Sequence, residues 1–292
     1  MTDYILLALA AFLIAVGFAL SKAYQKIKGD SPKVGFFFNC ITGLLTAVVF
    51  FGIGGFKFSF SAYSFIMAAL MSLFSMLYSV ISFKLLKTGS MALYTLFLMT
   101  GGMTLPYIYG LIFLNEPFSP MRTAALALIL GGVILSNISK EKPDIKQILL
   151  CVSVFVLNGF VSIVSKVHQI EQTSQTVSAT EFVMLTGLFK FIIAGALFLI
   201  SKRSDDEPKA NTKKLRWMIA LIFILSAVAS GISYMFQLWG AASLPATVLY
   251  PFITGGSIVF STLAGVLLFK DKLSLKMIIS VVLCFVGTLM FL

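Results

Sequence analysis

A single lysine, Lys190, interrupts an apolar segment that continues on both sides of it, through Phe182–Phe189 and Phe191–Ile200. In a membrane-spanning helix this residue would lie near the centre, where a charge costs about 2.5–3.5 kcal/mol on insertion scales. A charge retained at such a position usually faces a cavity or a partner. We expect Lys190 to bind an anionic group or to gate a pathway. The alternatives are a structural tether to backbone carbonyls or Glu181, and a buried, deprotonated amine.

Carboxylates are absent from the middle of every apolar segment. The one nearest to a segment core is Glu181, at the start of the segment that contains Lys190. A binding site for cations needs a buried acid to compensate their charge. The sequence therefore argues against cationic ligands. It favours neutral, zwitterionic or carboxylate-bearing molecules, with Lys190 meeting the anionic group.

Seven other polar or aromatic residues within apolar segments are candidates to line the same site. They are Asn39, Tyr78, Tyr94, Asn158, Gln237, Trp239 and Tyr250. A tyrosine offers a cavity both a ring and a hydroxyl, but an interfacial belt or core packing explains Tyr94 and Tyr250 equally well. A lone asparagine commonly bonds a neighbouring helix, which is the expectation we favour for Asn158.

Membrane helices must position these residues. The chain has 292 residues, of which 59% are hydrophobic and 11% charged, whereas soluble proteins have about 25% charged residues. Crossing a bilayer takes about 20 mostly apolar residues. Ten segments qualify: Tyr4–Ala23, Gly35–Gly54, Ala62–Phe83, Ser90–Leu114, Met121–Ile138, Ile145–Ser165, Ala179–Ser201, Leu215–Ala241, Thr247–Phe269 and Leu275–Leu292. The sequence predicts an all-α integral membrane protein with ten transmembrane helices.

The two halves of the chain resemble each other. The matches keep their order: Ser21-Lys22 with Ser165-Lys166, Phe38-Asn39 with Phe189-Lys190, Leu93-Tyr94 with Leu249-Tyr250, Thr100-Gly101-Gly102 with Thr254-Gly255-Gly256, and Gly132 with Gly287. Asn39 is thus the expected counterpart of Lys190. Preserved order across five helices predicts a duplication, with repeats at residues 1–139 and 140–292. Because five is odd, the second repeat should be inverted in the membrane.

The distribution of basic residues agrees with an inverted repeat. The net charge is +11, and most of the 22 basic residues fall in loops that would share one side of the membrane. The opposite side has only Lys57, Arg122 and Lys166. Basic loops mark the cytoplasmic side, so both termini are expected outside the cytoplasm. The charge indicates topology in a lipid bilayer and no nucleic-acid partner.

Several motifs match a known family. Asn158-Gly159 through Ser165-Lys166 resembles its pattern at the end of the first helix of a repeat. Glu116, Leu128-Ile129-Leu130 and Gly132-Val133 resemble its pattern from helix four into helix five, and Asp271 and Gly287 are the related residues of the second half. On these motifs, and over essentially the whole chain, the sequence resembles the drug/metabolite transporter superfamily, in its branch with two EamA-type domains.

This resemblance implies a secondary transporter of small polar metabolites in the cytoplasmic membrane, for which amino acids are one example. Transport would be by alternating access, with export as the expected direction, no cofactor and a substrate cavity between the two halves. The chain would be a monomer or a homodimer. Two alternatives remain: a lipid or lipid-linked-sugar translocator of the same superfamily, and a binding-only membrane sensor. One histidine, His168, and no cluster of catalytic groups argue against an enzyme.

Four charged residues are expected to have structural roles. Glu116 and Asp271 precede helices five and ten, where a carboxylate suits the helix dipole. Lys22 and Lys166 end repeat-related helices and are expected to extend their ammonium groups to the membrane interface, with a paired gating role as the alternative.

Overall fold

The computed structural model describes residues 2–29, 31–87, 91–137, 144–201, 213–270 and 274–292, and in them it contains ten α-helices and no strand. The helices are α1 (Thr2–Lys28), α2 (Pro32–Ile53), α3 (Ala62–Lys87), α4 (Met91–Phe113), α5 (Pro120–Asn137), α6 (Ile145–Ile170), α7 (Ala179–Ile200), α8 (Lys213–Ser243), α9 (Ala246–Phe269) and α10 (Leu275–Leu289). Of the helices in this part of the chain, nine are long and apolar enough to cross a membrane, and α10 is apolar but has 15 residues. The predicted all-α, ten-helix membrane fold is confirmed.

Capping residues set the start of the two helices that open the second half. The side chain of Ser178 accepts from the backbone N–H of Glu181, whose carboxylate in turn accepts from the backbone N–H of Ser178. Asp144 and Gln147 form the same reciprocal arrangement at the start of α6. Such capping boxes satisfy N–H groups that lack an intrahelical acceptor. The cap of α7 places Lys190 three turns into the helix, about halfway along it.

Helices of the first half pack on helices of the second half in matched pairs. The helix α2 packs on α7, α5 on α10 and α4 on α9, while α3 and α4 pack on α6 as α8 and α9 pack on α1. This pattern corresponds to an approximate two-fold axis between the halves. It supports the predicted repeats at 1–139 and 140–292, which remain a prediction. The proposed boundary falls within residues 138–143, outside the described residues.

Two glycines allow α2 and α7 to cross with their backbones in contact. A Cβ atom on Gly43 would lie 2.8 Å from the backbone nitrogen of Phe191 and 2.9 Å from the carbonyl oxygen of Gly187. A Cβ atom on Gly187 would lie 2.9 Å from the backbone nitrogen of Ala47 and from the carbonyl oxygen of Gly43. A larger side chain at either position would force the two helices apart.

The symmetry of this crossing corrects the expected counterpart of Lys190. Each glycine faces the other helix in the same way, and the equivalent residues on the two helices are 144 positions apart. Lys22 and Lys166 have the same spacing in α1 and α6. The residue 144 positions before Lys190 is Thr46. The expected equivalence of Asn39 with Lys190 is therefore wrong, because a match of two residues was too short to fix the register.

The crossing of α5 with α10 has the register that the sequence repeat indicates. A Cβ atom on Gly132 would lie 2.8 Å from the carbonyl oxygen of Ser280, and one on Gly287 would lie 2.8 Å from that of Ala125. Both equivalences correspond to a spacing of 155 residues. Small residues thus bring both pairs of symmetry-related helices into close contact, as is common between membrane helices.

Candidate substrate site

A cavity of about 170 Å³ lies between two helices of the first half and two of the second. Its walls are formed by α2 and α3 of the first half and by α7 and α8 of the second. The lining residues are Thr46, Met71, Ser72, Ser75, Val183, Thr186, Gly187, Lys190, Ser230, Gly231 and Tyr234. Except for Val183 near the start of α7, they lie at least seven residues from the ends of their helices, which places the cavity inside the bundle.

Among the residues that the structure describes, Lys190 is the only charged one that lines this cavity. The close crossing at Gly43 and Gly187 holds its backbone against α2, and its side chain is half-buried. In the part of the chain that the structure describes, the ammonium group of Lys190 has no hydrogen bond or ion pair with a protein side chain or carbonyl. The tether to Glu181 is not formed, because that carboxylate bonds the backbone N–H groups of Ser59 and Ser178. In the described chain, the amine of Lys190 therefore faces the cavity without a protein partner.

Hydroxyl groups provide most of the remaining polar surface of the cavity. They belong to Thr46, Ser72, Ser75, Thr186, Ser230 and Tyr234. The hydroxyl of Tyr234 contacts the sulfur of Met71 at 2.9 Å and lies 3.2 Å from the hydroxyl of Ser165, which ties α8 to α3 and α6. With one cation, several hydroxyls and no carboxylate in its lining, the cavity is suited to a polar ligand with an anionic group.

Of the eight residues predicted for the site, Lys190 lines the cavity and the other seven lie outside its lining. Two of the seven bond within their own helix. The amide of Asn39 donates to the carbonyl of Gly35 at 3.0 Å, and that of Gln237 lies 3.3 Å from the hydroxyl of Ser233. Trp239 is 43% exposed on the outer surface of α8, where lipid would surround it.

The remaining four predicted residues join helices to each other or lie between α3 and α4. The amide of Asn158 donates to the carbonyl of Leu98 at 2.7 Å, and the hydroxyl of Tyr250 donates to the carbonyl of Ser162 at 2.5 Å. Tyr94 lies near Tyr78 and Ser82 of α3. These contacts are structural in geometry, and roles in binding or gating for these residues stay predictions.

The lining hydroxyls were not among the predicted site residues, although their spacing carried a signal. Thr186 is four residues before Lys190, and Ser230 is four residues before Tyr234. Residues three or four apart share a face of a helix. Small hydroxyl residues are common in membrane helices, so only the position of Thr186 relative to Lys190 could have singled one out.

Two opposite charges stabilise the joint between α8 and α9. Lys166 is 5% exposed and donates to the carbonyls of Ala241 and Leu244, both at 2.7 Å. Glu116 accepts from the backbone N–H groups of Ala246 at 2.6 Å and Thr247 at 2.9 Å. A cation therefore lies at the end of α8 and an anion at the start of α9, as the helix dipoles favour.

This arrangement corrects two expectations. Lys166 does not extend to the interface but is buried against the end of α8. Glu116 caps α9 and not α5, because the residue before α9 is Pro245, which provides no side-chain cap. Gly110 leaves room for the carboxylate, since a Cβ atom there would lie 2.7 Å from it. Asp271, the related residue of the second half, lies outside the described residues.

The link between α6 and α7 folds onto the start of α3. The hydroxyl of Ser64 accepts from the backbone N–H of Val177 at 3.0 Å and lies 2.8 Å from Nε2 of His168. His168 is 1% exposed, and its ring stacks on Phe182 at 3.7 Å. The histidine thus belongs to the packing between α3, α6 and α7, and it is not among the residues that line the cavity.

Within the same link, Glu171 accepts hydrogen bonds from Thr173 and Ser174. The bond from the Thr173 side chain, together with those from both backbone N–H groups, lowers the pKa of the Glu171 carboxyl to about 2. The carboxylate therefore stays ionised at physiological pH and holds this turn in shape.

Comparisons with known proteins agree with this architecture. A solved crystal structure of a protein that is 15% identical superposes with a TM-score of 0.75, over 99% of this chain and 96% of that one. At that identity the similarity shows the fold alone. No curated protein sequence matches the chain. The model of the EamA-like transporter family matches residues 145–292, which is more than half of the sequence. The chain therefore belongs to the EamA-like transporter family of the drug/metabolite transporter superfamily.

Proposed function

We propose that this transporter moves a small polar metabolite bearing a carboxylate, and that the substrate's carboxylate binds the ammonium of Lys190 in the cavity between α2, α3, α7 and α8. The single observation that carries the proposal is the position of Lys190, which faces the cavity without a partner in the described chain. An unpaired charge at this depth is unfavourable by itself. A carboxylate ligand would offset that cost with a charge-assisted hydrogen bond.

The position of the cavity also supports alternating access across the cytoplasmic membrane. Both halves contribute walls, and α2 of the first half crosses α7 of the second in backbone contact at Gly43 and Gly187. Two repeats that tilt about such a crossing would expose a site between them to one side of the membrane at a time. Export remains the proposed direction, on family analogy.

Ligand-induced thermal stabilisation tests the proposal. The purified protein and its Lys190→Met variant would be screened with amino acids, organic acids, nucleobases and sugar phosphates. A ligand at ten times its dissociation constant stabilises the folded state by about 1.4 kcal/mol. We expect stabilisation by carboxylates in the unmodified protein and its loss in the variant, followed by flux of the same compounds in proteoliposomes.

Two results would contradict the proposal. Carboxylates that stabilise both proteins equally would place their site away from Lys190. Stabilisation confined to lipids, or ligand binding without flux, would instead favour a lipid translocator or a binding-only sensor.

A further inference from the structure

Four of the six hydroxyl groups that line the cavity have a defined hydrogen-bond direction, because each donates its proton to a backbone carbonyl. The pairs are Ser75 to Ser72 at 2.8 Å, Thr186 to Val183 at 2.9 Å, Ser72 to Thr186 at 3.2 Å, and Thr46 to Ala227 at 3.4 Å. A hydroxyl has one proton and two acceptor lone pairs. Once the proton is bonded to the backbone, the oxygen can offer a ligand only lone pairs.

The cavity therefore has two chemically different parts. Lys190 offers N–H donors and a positive charge, whereas the oxygens of Thr46, Ser72, Ser75 and Thr186 offer acceptors. Thr186 and Lys190 are four residues apart on one helix face, which corresponds to a rise of about 6 Å. A small molecule can contact both.

We propose that this site selects monocarboxylates that carry hydrogen-bond donors beside the carboxylate, such as 2-amino and 2-hydroxy acids, over 2-oxo acids and dicarboxylates. This inference rests on the proposed function, and it assigns specificity to Thr46, Ser72, Ser75 and Thr186. The substrate's carboxylate would accept from Lys190, and its N–H or O–H groups would donate to the oxygens of these hydroxyls.

The competing acids would leave these acceptors unsatisfied. The keto oxygen of a 2-oxo acid is an acceptor, so it cannot donate to the hydroxyl oxygens of the site. A dicarboxylate would place its second negative charge next to the same oxygens. Buried polar groups without partners are unfavourable. Sites built to hydrogen-bond a ligand's OH or NH therefore reject analogues that lack the group far more strongly than apolar pockets reject a missing methylene.

Acids that share one carbon skeleton and differ only in the group at carbon 2 show how hydrogen-bond donors affect binding at nearly constant size. A dicarboxylate tests the effect of a second negative charge. The three-carbon set is pyruvate, L-lactate and L-alanine. The branched set is 4-methyl-2-oxopentanoate, 2-hydroxy-4-methylpentanoate and L-leucine, with succinate as the dicarboxylate. Dissociation constants would be obtained from thermal stabilisation of the full-length protein. In at least one set we expect the amino acid to bind ten-fold or more tightly than the oxo acid, with the hydroxy acid between them and no binding of succinate.

A matched pair of variants locates the effect in the cavity. Thr186→Val removes a lining acceptor at nearly constant shape. Thr262→Val removes a hydroxyl that bonds the carbonyl of Ile258 at 2.9 Å in α9, away from the cavity. We expect Thr186→Val to reduce the preference for the amino acid over the oxo acid to three-fold or less, and Thr262→Val to leave that preference unchanged.

The outcomes distinguish this inference from the function on which it rests. Oxo acids or succinate that bind as tightly as the amino acids would overturn the donor selectivity alone. Binding of none of the seven acids, or equal loss of preference in both threonine variants, would also overturn it. Donor selectivity that persists in Lys190→Met would instead contradict the carboxylate-binding role of Lys190.

Discussion

Two lysines in apolar helices differ in what surrounds them. Lys166 in α6 has two backbone carbonyls at 2.7 Å, supplied by the end of α8. Lys190 in α7 lines a cavity and has no hydrogen bond or ion pair in the described parts of the chain. The fold thus supplies hydrogen-bond acceptors for the ammonium of Lys166. The described chain supplies none for that of Lys190.

The comparison shows that burial of a charge does not by itself indicate function. Both lysines would be costly in the membrane without partners. Lys166 meets the cost with carbonyls that a helix end leaves unbonded, so its role is to hold the joint between α8 and α9. Lys190 lies where its helix has no free carbonyls, and we infer a ligand as its partner.

The largest expected effect on stability comes from Lys166→Met. The substitution keeps the length of the side chain but removes two charge-assisted hydrogen bonds. We expect the free energy of unfolding to fall by about 3 kcal/mol, measured by denaturation in lipid-containing micelles. Any ligand that still binds the folded variant should keep its affinity. A ligand affinity that falls while stability stays unchanged would reverse the roles of the two lysines.

The matching substitution Lys190→Met should change the free energy of unfolding in the opposite direction. Replacing an unpaired charge near mid-membrane by an apolar chain should raise the free energy of unfolding by about 2 kcal/mol. The same variant should lose stabilisation by carboxylates. Both quantities come from one series of denaturation curves with and without ligand. A loss of stability like that of Lys166→Met would reveal a protein partner for Lys190.

Glu116→Gln tests whether the joint between α8 and α9 depends on both charges. The amide can accept from one N–H group of α9 but carries no charge for the helix dipole, so we expect a loss of about 1.5 kcal/mol. Combining it with Lys166→Met should give a loss that differs from the sum of the two, because both residues stabilise the same joint. Strict additivity would mean that the two caps act independently.

The smallest expected effect is that of Asn158→Ala. Its amide bonds the carbonyl of Leu98 between α6 and α4, and such bonds contribute about 0.6 kcal/mol in membrane proteins. We expect a loss of that order with the ligand selectivity unchanged. A shift in selectivity would return Asn158 to the set of site residues.

The class of the protein and the depth of Lys190 could be predicted because they are local properties. The share of apolar residues and the length of the apolar segments indicate membrane helices, and the position of Lys190 within its segment follows from counting. The order of matching motifs also indicated a pseudo-symmetric fold, but its register in α2 and α7 could not be determined. The match of Phe38-Asn39 with Phe189-Lys190 implies a different spacing between the repeats from the one that the crossing of α2 with α7 shows.

The partners of the polar residues were decided only by the tertiary structure. The bond from Lys166 to Ala241 joins residues 75 positions apart, and that from Glu116 to Ala246 joins residues 130 positions apart. Sequence spacing predicts neighbours on one helix, because they share its geometry. It does not predict which helix end or which cavity faces a given side chain. That depends on which of ten similarly apolar helices pack together, and small residues at the crossings decide this packing.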